Sequence, residues 1–135
     1  MISDHVPAMK WFLVLVIVPV LTVCLVAGCG REVNIYYEPE QTISVRTNHE
    51  FIIATATNPP TGYMWRETFD ENMLELTAST IEVSEAVKRG EAKIGLEQHF
   101  RFKALKQGKT EIRIDLAGPD PKFSIERKIF NVNIK

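Results

Sequence analysis

From Phe51 onward, apolar and polar residues alternate with a period of two, interrupted at short intervals by glycine, proline and charged clusters. Ile112, Ile114 and Leu116 share one face while Glu111, Arg113 and Asp115 share the other, the pattern of a half-buried strand. Phe100, Phe102 and Ala104 alternate in the same way with His99, Arg101 and Lys103, and Phe130, Val132 and Ile134 with Asn131, Asn133 and Lys135. Phe51-Ile52-Ile53-Ala54-Thr55-Ala56-Thr57 is apolar on both faces, which predicts a central strand. Turns are expected at Glu38-Pro39-Glu40, at Gly108 and at Gly118-Pro119-Asp120-Pro121, where fixed or permissive backbone breaks the pattern. Residues 82–91, charged and with Gly90 near their end, read as a long exposed loop. Short strands at this spacing, with no long 3.6-residue period, predict an all-β, two-sheet sandwich. Its core should hold Ile112, Ile114, Leu116, Phe100, Phe102, Phe130 and Val132.

The N-terminus follows a different pattern. Lys10 precedes an apolar run from Trp11 to Val23, long for a strand and short for a membrane span, as in the hydrophobic region of a secretory signal. Val26-Ala27-Gly28-Cys29 closes this region and resembles the lipobox of bacterial lipoproteins, which implies cleavage before Cys29 and acylation of its thiol. Cys24 is the competing candidate, but branched Val23 stands where cleavage needs a small residue. An uncleaved single-span anchor is the alternative to a signal. Residues 1–8 carry Asp4 ahead of the basic residue and fit a signal poorly, whereas a start at Met9, the alternative to Met1, would give Met-Lys-Trp-Phe-Leu directly. The predicted organisation is a signal peptide at 1–28, a lipidated tether at 29–42 and a β-sandwich at 43–135, anchored by lipid in the cell envelope. Gly30, rather than Asp, after the cysteine resembles lipoproteins of the outer membrane, should the cell be Gram-negative.

Composition narrows the function classes. The chain has 16 basic and 17 acidic side chains and lacks a basic run, so nucleic acid is not an expected partner. With only two cysteines, one removed with the signal and the other acylated, no disulfide is available. Nothing pairs a nucleophile with a base, and no Gly-x-Ser-x-Gly or His-Glu-x-x-His appears. His99 alternates outward beside Arg101 and reads as a solvated strand residue, and His49 in Thr47-Asn48-His49-Glu50 reads as part of a turn. Neither has the companions a metal needs. No enzyme, no cofactor and no metal are expected, and a monomer is.

The most informative stretch joins the central strand to the next through Asn58-Pro59-Pro60-Thr61-Gly62-Tyr63-Met64-Trp65. Each proline fixes its own φ and disfavours helical geometry in the residue before it, so residues 58–60 are expected to project as a rigid, extended finger that Gly62 turns. On strands, Trp65 reads as core, while Tyr63 could face either way.

Asn58-Pro59-Pro60-Thr61-Gly62-Tyr63 resembles the Asn-Pro-Thr-Thr-Gly-Tyr loop of the chagasin family, inhibitors of papain-like cysteine peptidases, with Pro60 in place of the first Thr. The resemblance runs from about Ile43 to Ile134. Of the family's Gly-x-Gly-Gly loop only Gly95 remains, within Lys93-Ile94-Gly95-Leu96. Its Arg-Pro-Trp or Arg-Pro-Phe loop falls near Ala117-Gly118-Pro119-Asp120, where neither the Arg nor the aromatic is in place. The resemblance implies an immunoglobulin-like sandwich whose three loops form a wedge in the cleft of a papain-like cysteine peptidase. Asn58, Pro59, Pro60, Thr61, Gly62 and Tyr63 would lie across the catalytic cysteine, Gly95 and Leu96 on one flank, and Gly118 and Pro119 on the other. The alternative function is a lipid-anchored surface-binding or assembly module with the same fold and no peptidase inhibition.

Overall fold

The structure is a computed structural model and describes residues 31–120 and 122–135. The predicted signal peptide at 1–28, with Cys24, and the lipidation residue Cys29 lie outside the described residues. Residues Val33–Lys135 form one compact unit, built from β1 (Asn34–Tyr36), β2 (Ile43–Val45), β3 (Glu50–Thr57), a 3₁₀ turn η1 (Pro59–Thr61), β4 (Met64–Phe69), β5 (Leu74–Val83), a one-turn helix α1 (Glu85–Lys88), β6 (Leu96–Ala104), β7 (Gly108–Ala117) and β8 (Ser124–Ile134). Two four-stranded sheets result, one ordered β1-β3-β6-β5 and the other β2-β8-β7-β4.

Their facing sides follow the alternation in the chain. Phe51, Ile53, Phe100, Phe102 and Ala104 of the first sheet meet Ile112, Ile114, Phe130, Val132 and Ile134 of the second, all essentially buried. Phe102 is central: its ring stacks on Phe51 with centroids 5.7 Å apart and takes Phe69 edge-on at 5.1 Å, both favoured aromatic arrangements. β3, apolar on both faces, lies between β1 and β6. Leu116 alone of the predicted core residues is only partly buried, packed against the margin of the core.

Three expectations need correction. Asn34–Tyr36 falls inside the predicted tether, yet pairs in parallel with Phe51–Ile53 as β1, because Tyr36 sets its ring edge-on to Phe51 at 6.3 Å. A three-residue strand is too short to show alternation. Residues 82–91 are not one long loop. β5 continues through Val83, and Ser84 then caps α1, its hydroxyl accepting the Val87 N–H at 3.4 Å, a common N-cap arrangement. Finally, His99 is buried, 6% exposed. β6 is an interior strand, so small Ala54 and Thr80 flank His99 on the neighbouring strands, and Glu97 lies 3.0 Å from its Nε2. His49 does sit in a turn, with Asn48 at φ +64° and its own N–H donating to Arg46 O at 3.1 Å.

β3 and β4 are consecutive in the chain but belong to different sheets, so residues 58–63 cross from one sheet to the other over the end of the sandwich. Trp65 secures the crossing. Its indole N–H donates to Ala56 O at 2.8 Å. Its backbone N–H donates to Gln98 Oε1 at 3.2 Å, and its carbonyl accepts from Gln98 Nε2 at 3.1 Å. Gln98 is 5% exposed, and its amide substitutes for a strand pairing that cannot form between sheets. Lys128 lies over the Trp65 ring, its Nζ 5.4 Å from the centroid, a cation–π contact.

Two stability predictions follow from this packing. Phe100→Ala should cost about 3–5 kcal/mol, whereas exposed Lys106→Ala should stay within about 0.5 kcal/mol; urea denaturation of the soluble domain measures both. Gln98→Met keeps the bulk but orphans the Trp65 N–H and C=O, at about 1–3 kcal/mol for each. Amide exchange at Trp65 should accelerate as well, and an unchanged unfolding midpoint would show that the bridge adds no stability.

Candidate functional site

Strand register brings the three predicted loops to one end. Thr57, the last residue of β3, faces Leu96, the first of β6. Met64, the first of β4, faces Ala117, the last of β7. The crossing 58–63, the approach 93–95 and the exit 118–120 therefore open on the same side of the fold.

The crossing is rigid but not extended. Only Asn58 keeps the open geometry its following proline demands, at φ −138° and ψ 80°, and Pro59–Thr61 close into a 3₁₀ turn. The prolines suit that turn because the first positions of a helix have no use for their N–H groups. Thr61 closes it twice on the same acceptor, its N–H reaching Asn58 O at 3.1 Å and its hydroxyl at 2.7 Å. The Gly62 N–H then donates to Pro59 O at 3.0 Å. Gly62 itself stands at φ +80°, a left-handed conformation that a side chain resists. An extended finger, the expectation from the prolines alone, would leave Thr61 without these bonds.

Residues 58–63 and 118–119 touch. A β-carbon on Gly118 would come within 2.9 Å of Tyr63 Cε1, and one on Gly62 would rest 3.6 Å from Pro119 Cγ. Tyr63 is thus laid over the Gly118 backbone and remains 36% exposed, whereas Trp65 belongs to the core as its position on a strand suggests. Pro119 is exposed. On the other flank, Leu96 sits beside Thr57 and is partly exposed, while Gly95 faces inward, its carbonyl accepting the Ser84 N–H at 3.0 Å.

Three exposed apolar side chains at or beside these loops escaped the sequence reading. Ile94 is 89% exposed, Phe123 70% and Ile125 64%. For Phe123 and Ile125 a phase difference shows once the register of β8 is known; Ile94, in a loop, has none. On β8 the buried residues Phe130, Val132 and Ile134 occupy even positions, so apolar residues at 123 and 125 stand out of register with the core. Among the described residues, no group of three or more His, Cys, Asp and Glu is placed to hold a metal ion.

Two solved structures share this fold. The cysteine protease inhibitor EhICP2 from Entamoeba histolytica is 23% identical, with a TM-score of 0.61 over 78% of this chain and 100% of its own. Amebosin is 18% identical, with a TM-score of 0.55 over 77% of this chain and 99% of its own. No curated protein matches the chain. The model of the chagasin family of peptidase inhibitors matches residues 44–134. That span takes in every strand from β3 to β8 and all three loops, and the chain therefore belongs to the chagasin family of peptidase inhibitors.

Proposed function

We propose that this protein inhibits papain-like cysteine peptidases by laying the loop of residues 58–63 across the catalytic cysteine. The observation that carries this reading is the bonding of Asn58, Pro59, Thr61 and Gly62 into a closed turn at the end of the sandwich where the other two loops also open. Family membership supports it, as does the name of EhICP2, a cysteine protease inhibitor of the same fold. The mechanism is occlusion without chemistry. A loop that is already ordered loses little conformational entropy on docking, so a modest contact area can bind tightly. Pro59 and Pro60 offer no N–H, and their 3₁₀ geometry differs from the extended form in which a peptidase aligns a substrate, so the loop resists cleavage. Leu96 and Gly95 form one flank, Gly118 and Pro119 the other.

Thr61→Arg tests the loop. It should weaken inhibition at least about tenfold, both by obstructing a hot-spot contact and by removing the hydroxyl bond to Asn58 O, while shifting the melting temperature little, because that bond is exposed and the Thr61 N–H bond remains. The measurement is titration of several papain-like peptidases with the soluble domain, with and without the substitution. If micromolar protein inhibits none of them, or if inhibition ignores Thr61, the binding-module alternative takes over; the missing Arg and aromatic of the third loop would then mark a change of partner.

Residues 26–29 support a second proposal: Cys29 carries lipid and the domain works as a monomer from a membrane surface in the cell envelope, the outer membrane in a Gram-negative cell. Acyl chains contribute about 0.8 kcal/mol per buried methylene, and more than one chain is needed for stable anchoring. Cys29→Ser should move the protein from the membrane to the soluble fraction or leave an uncleaved precursor. A wild-type protein found soluble with a free Cys29 thiol would rule the anchor out.

A further inference from the structure

Beside the crossing loop lies an open depression of about 440 Å³. Asn58, Thr61 and Tyr63 of the loop form one wall, and Ala56, Leu116 and Ile125 belong to the strands beneath. Ile125 owes its place to a break in register. Leu116 pairs with Glu126 and Ala117 with Ser124, so Ile125 is the extra residue of a β-bulge, a device that re-aims a side chain next to a functional surface. It stands 64% exposed, and Phe123 two residues earlier 70%.

The chemistry of the lining restricts what can enter. Among the described residues, none that lines the depression is charged. The Thr61 hydroxyl donates to Asn58 O at 2.7 Å, and the Thr57 hydroxyl is buried, so neither is free to serve as a donor at the surface of the depression. A charged group would lose its water here with only the Asn58 amide and the Tyr63 hydroxyl to replace it. An aliphatic or aromatic group would bury its own surface together with that of Leu116, Ile125 and the Tyr63 ring.

We infer that this depression receives an apolar side chain of the target peptidase, projecting from the rim of its cleft, so that the inhibitor both inserts a loop and accepts a knob in return. The inference rests on the proposed peptidase-binding role of residues 58–63, because the depression and that loop share a wall. It assigns Ile125 as a specificity-determining residue, with exposed Phe123 two residues earlier in the chain as the second candidate: peptidases with an apolar residue at that rim position are held more tightly than those with a charge.

The test compares inhibition constants of wild type, Ile125→Asp, Phe123→Ala and Thr61→Arg against a panel of papain-like peptidases, with melting temperature as the check on folding. Ile125→Asp should weaken inhibition about tenfold or more at unchanged melting temperature, Phe123→Ala by a smaller factor. Calorimetry should show a less negative heat-capacity change of binding for Ile125→Ser, since apolar burial sets that quantity. If wild type inhibits and Thr61→Arg abolishes inhibition while Ile125→Asp and Phe123→Ala leave it untouched, the knob is wrong and the loop reading stands. If wild type inhibits no peptidase, both fall. A change from dimer to monomer on Ile125→Asp with inhibition unaltered would assign the depression to a second copy of the chain and overturn the proposal.

Discussion

Everything at the functional end hangs from Trp65. A sandwich has no backbone ladder between its sheets, and a connection that crosses from one sheet to the other is where the two could most easily slide apart. Here one residue ties three strands. The Trp65 indole reaches back to Ala56 on β3, and its backbone is bracketed by the Gln98 amide from β6. The two Gln98 bonds are made in a buried setting, where an unpaired amide is costly and a paired one is correspondingly specific. The crossing loop therefore starts and finishes on fixed points, and its six residues have little freedom left to lose.

Within the loop, rigidity comes from closure rather than extension. Two prolines by themselves argue for an open chain, since each disfavours helical geometry in the residue before it. Only Asn58 obeys that preference. Pro59 and Pro60 instead occupy the one part of a helical turn where a missing N–H is harmless, and Thr61 supplies two donors to a single carbonyl. That local hydrogen bonding outweighs the extended bias. In the proposed inhibitory role, a closed turn would fill a cleft without offering the strand-like backbone that a peptidase grips.

The sandwich was largely legible in the chain. Period-two alternation located β6, β7 and the second half of β8, and apolarity on both faces marked β3 as central. What was missed has physical reasons. β1 is three residues long and held by the Tyr36 contact with Phe51, a tertiary event with no local pattern. β5 carries mostly polar and exposed residues toward its end, so its last residues look like loop although the ladder to β6 continues. His99 alternates outward as expected, yet an interior strand shelters it. At the site, the residues of the crossing loop were visible because proline and glycine punctuate it. Ile94, Phe123 and Ile125 were not, because a bulge or loop position has no period to violate until the register of its strand is known.

The two flanks now look unlike in kind. On the side of residues 93–96, the glycine is turned inward to Ser84 and the exposed apolar group is Ile94. On the side of residues 118–125, Gly118 supports Tyr63, and the exposed apolar groups stand beyond it, on or beside a bulge of β8. Only the second flank touches the crossing loop, through Gly118 under Tyr63 and Pro119 beside Gly62, whereas the Gly95 contact joins β5 to the approach of β6. The inner ring of contacts is constrained because Tyr63 must lie flat on Gly118 and Gly62 must hold a positive φ. The outer ring has no such constraint, since residues there touch solvent on the free protein. The sandwich and Trp65 thus fix where the loop stands, while the rim residues Ile94, Phe123 and Ile125 are held by no contact that would dictate their chemistry.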